Sequence, residues 1–145
     1  MRQYLKTVFL LLAGGLLYVA VELIWRGYSH WTMFFLGGTC FVLIGAINEL
    51  IPWCMPLWNQ AIIGAAIITL LEFLTGCIVN LWLGWNIWDY SSVPLNLLGQ
   101  ICLPYILLWI PVSVAAIILD DWLRYRMFDE EKPHYCLWRH RKNVY

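Results

Sequence analysis

Residues 7–119 of this 145-residue chain carry only five charged side chains: Glu22, Arg26, Glu49, Glu72 and Asp89. Every other charge is crowded into the first six residues or the stretch after Leu119. A run of that length cannot cover itself with polar surface in water, so lipid is its natural solvent. Hydrophobic residues make up 62% of the chain and charged ones 12%, against about 45–50% and about 25% in an ordinary soluble domain. A bilayer helix needs about 20 mostly apolar residues, and four stretches qualify, at about 5–25, 32–53, 60–83 and 97–119. The predicted fold class is therefore an all-α integral membrane protein, a four-transmembrane-helix bundle. One membrane domain spans residues 1–126, and a polar cytoplasmic tail spans 127–145.

The ten tryptophans test that layout independently, because an indole prefers the boundary between hydrocarbon and headgroup. Trp25 and Trp31 bracket the first connection, Trp53 and Trp58 the second, and Trp82, Trp85 and Trp88 crowd the third. Trp122 marks the exit of the last span, whereas Trp109 sits inside it. The first span begins with Arg2 and Lys6 like a secretory signal, but no small-x-small cleavage site follows, so it reads as a retained helix. Arg2 and Lys6 at one end, and six Lys/Arg residues after Leu119 at the other, predict a cell-membrane protein with both termini cytoplasmic.

Several function classes are disfavoured by this inventory. Zero net charge argues against a nucleic-acid partner. Five scattered cysteines without a Cys-x-x-Cys pair give no disulfide framework or metal site, and no cofactor is expected. No phosphate-binding loop is present, so ATP hydrolysis would need a separate chain. No Ser-His arrangement occurs within the spans, and no catalytic residue is assigned.

Carboxylates inside a span are costly and persist when paired, protonated or facing a polar cavity. Glu72 falls near the middle of the third span, Glu22 and Glu49 nearer the ends of theirs. Gly64, Ile68, Glu72, Gly76, Asn80 and Gly84 recur every four residues along one slowly drifting face. That face is either a close-packing seam, with small residues and interhelical hydrogen bonds, or the lining of a substrate or ion path. Arg26 follows Glu22 by four residues and can pair with it, or can face Glu72 or Asp89. The connection 84–96 is too apolar for an exposed loop and too broken for a span. It is expected to lie in the interface or to re-enter the bundle, which is tolerated where protein buries the backbone.

Three segments taken together, LEFLTG at 71–76, WDYS at 88–91 and PLNLLGQICL at 94–103, with Trp109, closely resemble the CmpB-like ABC-transporter type IV permease family of small multi-pass membrane proteins. The resemblance covers most of residues 14–126. It implies a transport component and marks Glu22, Glu72, Gly76, Trp88, Asp89, Tyr90, Asn96 and Gly99 as its functional core. TMFFLGG at 32–38 departs from the pattern with which many members begin the second helix. With Arg26, Asn80 and Gln100 added from the polar face and the connection, the candidate substrate- or ion-site residues are Glu22, Arg26, Glu72, Gly76, Asn80, Trp88, Asp89, Tyr90, Asn96 and Gln100. Membrane lipid, further copies of the chain, or separate membrane and ATPase subunits are the expected partners. Two other readings stay open: a non-catalytic membrane partner or regulatory subunit, and a membrane-embedded enzyme acting on a lipid-linked substrate through Glu72 and Asp89.

Overall fold

A computed structural model describes residues 2–51 and 55–137. Its elements are α1 (Arg2–Arg26), α2 (Trp31–Gly45), a short α3 (Ile47–Leu50) and α4 (Leu57–Gly76). A π-helical segment (Cys77–Trp82) prolongs α4, and a minimal hairpin, β1 (Asn96–Leu97) and β2 (Ile101–Cys102), leads into α5 (Leu103–Phe128). Taking α3 with α2 and the π segment with α4, four helices are long and apolar enough to cross a membrane. Helices suit that solvent because each satisfies its own backbone hydrogen bonds.

The helices pack as two pairs, α1 with α2 and α4 with α5, and α2 joins the pairs by touching both α4 and α5. The α1–α2 seam is reciprocal. Gly14 and Gly15 of α1 face Phe41 and Phe34 of α2, while Gly37 and Gly38 of α2 receive Tyr18 and Leu11 of α1. Small residues let the backbones approach where no hydrophobic force drives helices together in lipid. A side chain at position 38 would run into the Leu11 carbonyl oxygen, which is backbone and cannot swing aside. Gly38→Leu is therefore expected to lower stability by about 1–3 kcal/mol, the usual cost of overpacking, read as a lower thermal midpoint in lipid nanodiscs. A midpoint equal to wild type would mean that this seam is not close-packed.

Two helix boundaries differ from the hydropathy pattern. The fourth span was expected at 97–119, but α5 runs Leu103–Phe128. At its start, Leu95 (φ 55°), Leu98 (φ 53°) and Gly99 (φ 67°) all take the left-handed backbone that a helix cannot use, so Leu97 and Leu98, which score as span, belong to the hairpin before the helix. At its end, Asp120, Asp121 and Arg124 are buried rather than solvated, so the helix continues past charges that hydropathy treats as its exit. The tail also stays on the bundle as far as it is described: the Leu57 amide donates to the Cys136 carbonyl at 2.9 Å. The described boundary tryptophans are exposed as a membrane belt requires, including Trp25, Trp31, Trp58, Trp82, Trp85 and Trp122. Trp53 and Trp138 lie outside the described residues. Trp88 is buried and Trp109 partly so, and both turn inward to the site.

Candidate functional site

The every-fourth-residue face of α4 points into the bundle. Gly64, Ile68, Glu72, Gly76 and Asn80 are buried, and the face ends at Gly84, which is exposed with φ 68°. A spacing of four drifts steadily around an α-helix. Over Cys77–Trp82 the turn widens, with the Leu83 amide donating to Ile78 five residues back at 2.9 Å. A wider turn moves that spacing the opposite way, so Asn80 still faces inward. Such π segments collect at functional sites.

Glu72 is 2% exposed. One carboxylate oxygen accepts from the Tyr90 hydroxyl at 3.0 Å, and the other from the Trp109 indole N–H at 2.9 Å. Among the described residues no cation pairs with it: the ion pairs present lie elsewhere. Tyr90 stacks on Tyr105 of α5 with ring centroids 4.8 Å apart. Burial, and then the Glu72 charge, push the Tyr90 phenol well above its ordinary range, so it remains protonated.

Tyr90 reaches Glu72 because residues 83–102 fold back into the bundle, and Asn80 fixes them there. Its amide donates to the Trp88 carbonyl at 3.0 Å and to Gln100 Oε1 at 2.8 Å, while its oxygen accepts from the Ile87 amide at 2.7 Å. The Trp88 indole donates to the Gln100 carbonyl at 3.0 Å. Gly76 makes room for this, since a Cβ there would collide with Gln100 and Trp88. Every buried polar group in the clamp thus has a partner, as backbone at that depth demands.

Of the ten predicted site residues, the structure brings together Glu72, Gly76, Asn80, Trp88, Tyr90 and Gln100. Glu22 and Arg26 pair with each other at 2.5 Å, and Ser29 donates to the second Glu22 oxygen at 2.5 Å. Arg26 also donates to the Ile87 carbonyl at 3.4 Å and stacks on Tyr28, so it touches the rim of the clamp and faces neither Glu72 nor Asp89. Asp89 and Asn96 are exposed and hold the turn. Asp89 accepts from the Ser91 amide at 2.8 Å, and the Ser91 hydroxyl and amide hold its carboxyl below the ordinary range. Asn96 donates to Val93 at 2.8 Å and accepts from the Gly99 amide at 3.1 Å. Glu72 and Asp89 share no hydrogen-bond partner among the described residues. Trp109 was missed as a site residue, although a mid-span tryptophan whose N–H needs an acceptor was the available signal.

A second polar cluster, missed entirely, lies at the end of the bundle where α1 begins and α5 ends. Arg124 pairs with Asp120 one turn earlier and with Glu49 at 2.8 Å, and Lys6 pairs with Glu130 at 2.5 Å. Asp121 accepts from Asn48 at 2.6 Å and from the Tyr135 hydroxyl at 2.9 Å. Burial and the Asp121 charge push the Tyr135 phenol up. A cavity of about 270 Å³ opens there, lined by Asn48, Glu49, Asp121, Arg124, Glu130 and Glu131. The four described cysteines are free.

Comparison with known proteins gives one match: the model of the family described as putative ABC-transporter type IV fits residues 17–135, most of the chain. No curated protein and no solved structure matches.

Proposed function

The chain belongs to the putative ABC-transporter type IV family, and from that premise we propose that it is a component of a membrane transport system whose intramembrane site is centred on Glu72. Family and helices together support a membrane protein related to transport. The observation that supports the finer reading is a carboxylate inside a span, 2% exposed, held by two neutral donors and no cation. A carboxyl used only as packing glue has no need of the clamp that brings Tyr90 to it; a solute or ion site does. Glu22 and Arg26 would form its rim, and Asp89 and Asn96 would shape the segment that covers it.

Four helices rarely enclose a path alone, so we infer that it works with further copies or with separate membrane and ATPase subunits. Arg2, Lys6 and the basic tail favour cytoplasmic termini at the cell membrane. The same closure of Glu72 favours a second reading, a regulatory or anchoring subunit whose polar seam holds it together. Flux measured in proteoliposomes, with and without co-expressed partner subunits, separates the two. The first reading expects flux that Glu72→Gln removes while assembly is unchanged. Assembly lost in that variant, or wild-type flux retained by it, would overturn the first reading.

A further inference from the structure

The two hydrogen bonds to Glu72 are not equivalent. An indole N–H can only donate, so the carboxyl oxygen facing Trp109 must always accept. A phenol hydroxyl has one hydrogen and free lone pairs, so the oxygen facing Tyr90 can either accept from it or donate to it. A proton on Glu72 therefore has one place to reside without orphaning a buried donor: Oε1, on the Tyr90 side. The other titratable groups near enough to feel the Glu72 charge are Tyr18 from α1 and Cys40 from α2, and Tyr105 from α5 stacks on Tyr90. None carries a positive charge. Arg26, whose charge reaches Tyr18, is engaged by Glu22. Among the described residues no cation pairs with the carboxyl to fix its charge.

We propose that Oε1 of Glu72 is a proton-exchange site, with the Tyr90 hydroxyl as its relay. The inference rests on Glu72 being the functional site and adds that a proton is one of the species it binds. Balance is simple. The Tyr90 hydrogen passes to Oε1 while the phenol oxygen takes a replacement proton from solvent water reaching the partly exposed Tyr90, so the pair gains one proton and Tyr90 ends as acceptor. Hydrogen bonds to an ionised acceptor are roughly twice as strong as neutral ones, so proton uptake also loosens the hold of Glu72 on the folded-back segment.

Infrared difference spectra of the full chain in lipid nanodiscs, recorded across pH, test this. In wild type a protonated-carboxyl band is expected to grow as pH falls, with the tyrosine C–O mode shifting at the same midpoint. Glu72→Gln should remove both changes, and Tyr90→Phe the tyrosine change alone. Trp109→Phe should move the carboxyl band to higher frequency, because its carbonyl oxygen loses a donor, while the tyrosine change persists. A tyrosine mode that stays fixed while the carboxyl titrates, or no band dependent on Glu72, overturns the proposal. Flux lost in Glu72→Gln without any titrating band would overturn proton exchange and leave the transport reading standing.

Discussion

Arg124→Ala is expected to destabilise the protein by about 3 kcal/mol, at the lower end of the cost of breaking a buried ion pair. Asp120 is fully buried, and one of its oxygens already lacks a partner. It packs closely against Gly45, where even a methyl group would collide with the carboxylate. Removing Arg124, itself 6% exposed, leaves that charge uncompensated and leaves Glu49 with only its longer 3.8 Å pairing to Lys6. The cost falls at the lower end because the Glu49 side chain is 39% exposed and part of its pairing is screened by water. Arg126→Ala, an exposed cation two residues on, should change stability by no more than about 0.5 kcal/mol. Thermal unfolding followed by tryptophan fluorescence checks both. In a double-mutant cycle, Asp120→Asn should recover part of the Arg124→Ala loss, because it removes the stranded charge. Equal midpoints for Arg124→Ala and Arg126→Ala would mean that the cluster is decoration on a fold held elsewhere.

That cluster also shows what hydropathy can and cannot read. The four spans were legible because lipid imposes one rule on every lipid-facing position, and the tryptophan belt repeats it. The rule is silent on charges at span ends, where solvated flanks and buried ion pairs look alike. The four-residue spacing of Asp120 and Arg124 was visible, but its partners Lys6, Asn48 and Glu49 come from elements whose registers only packing sets. The clamp was half legible. The polar face of α4 and the odd composition of 84–96 both pointed to re-entry, and Tyr90 and Gln100 were named. Nothing in the residues announced the π segment that keeps Asn80 on that face. Leu97 and Leu98 score as membrane because hydropathy cannot see the hairpin they belong to or the positive φ of Leu98. Asp89 reads as an acid/base partner for Glu72 on residue type alone, yet its carboxylate accepts from the serine two residues on.

At Glu72 the shape of the substitution should matter more than its charge. Glu72→Leu strands the Tyr90 hydroxyl and the Trp109 N–H, two part-buried donors, and each unsatisfied group costs up to about 1–3 kcal/mol. A combined loss of up to about 2–6 kcal/mol is expected, with the folded-back segment loosened first at Tyr90, which loses its bond to Glu72. Glu72→Gln should be tolerated at less than about 1 kcal/mol. Its carbonyl can accept from Trp109, and its amide can donate to Tyr90, whose hydroxyl reverses its role. Trp109 cannot reverse, so the amide has one permitted orientation. Unfolding midpoints for the two variants, with limited proteolysis between residues 83 and 102, measure this difference. If Glu72→Gln were as damaging as Glu72→Leu, the negative charge itself would be holding the bundle, and the two neutral donors would not account for its stability. With Gln tolerated and Leu not, Glu72→Gln becomes the clean reagent for function: any flux it removes is lost to the chemistry of the carboxyl rather than to the fold.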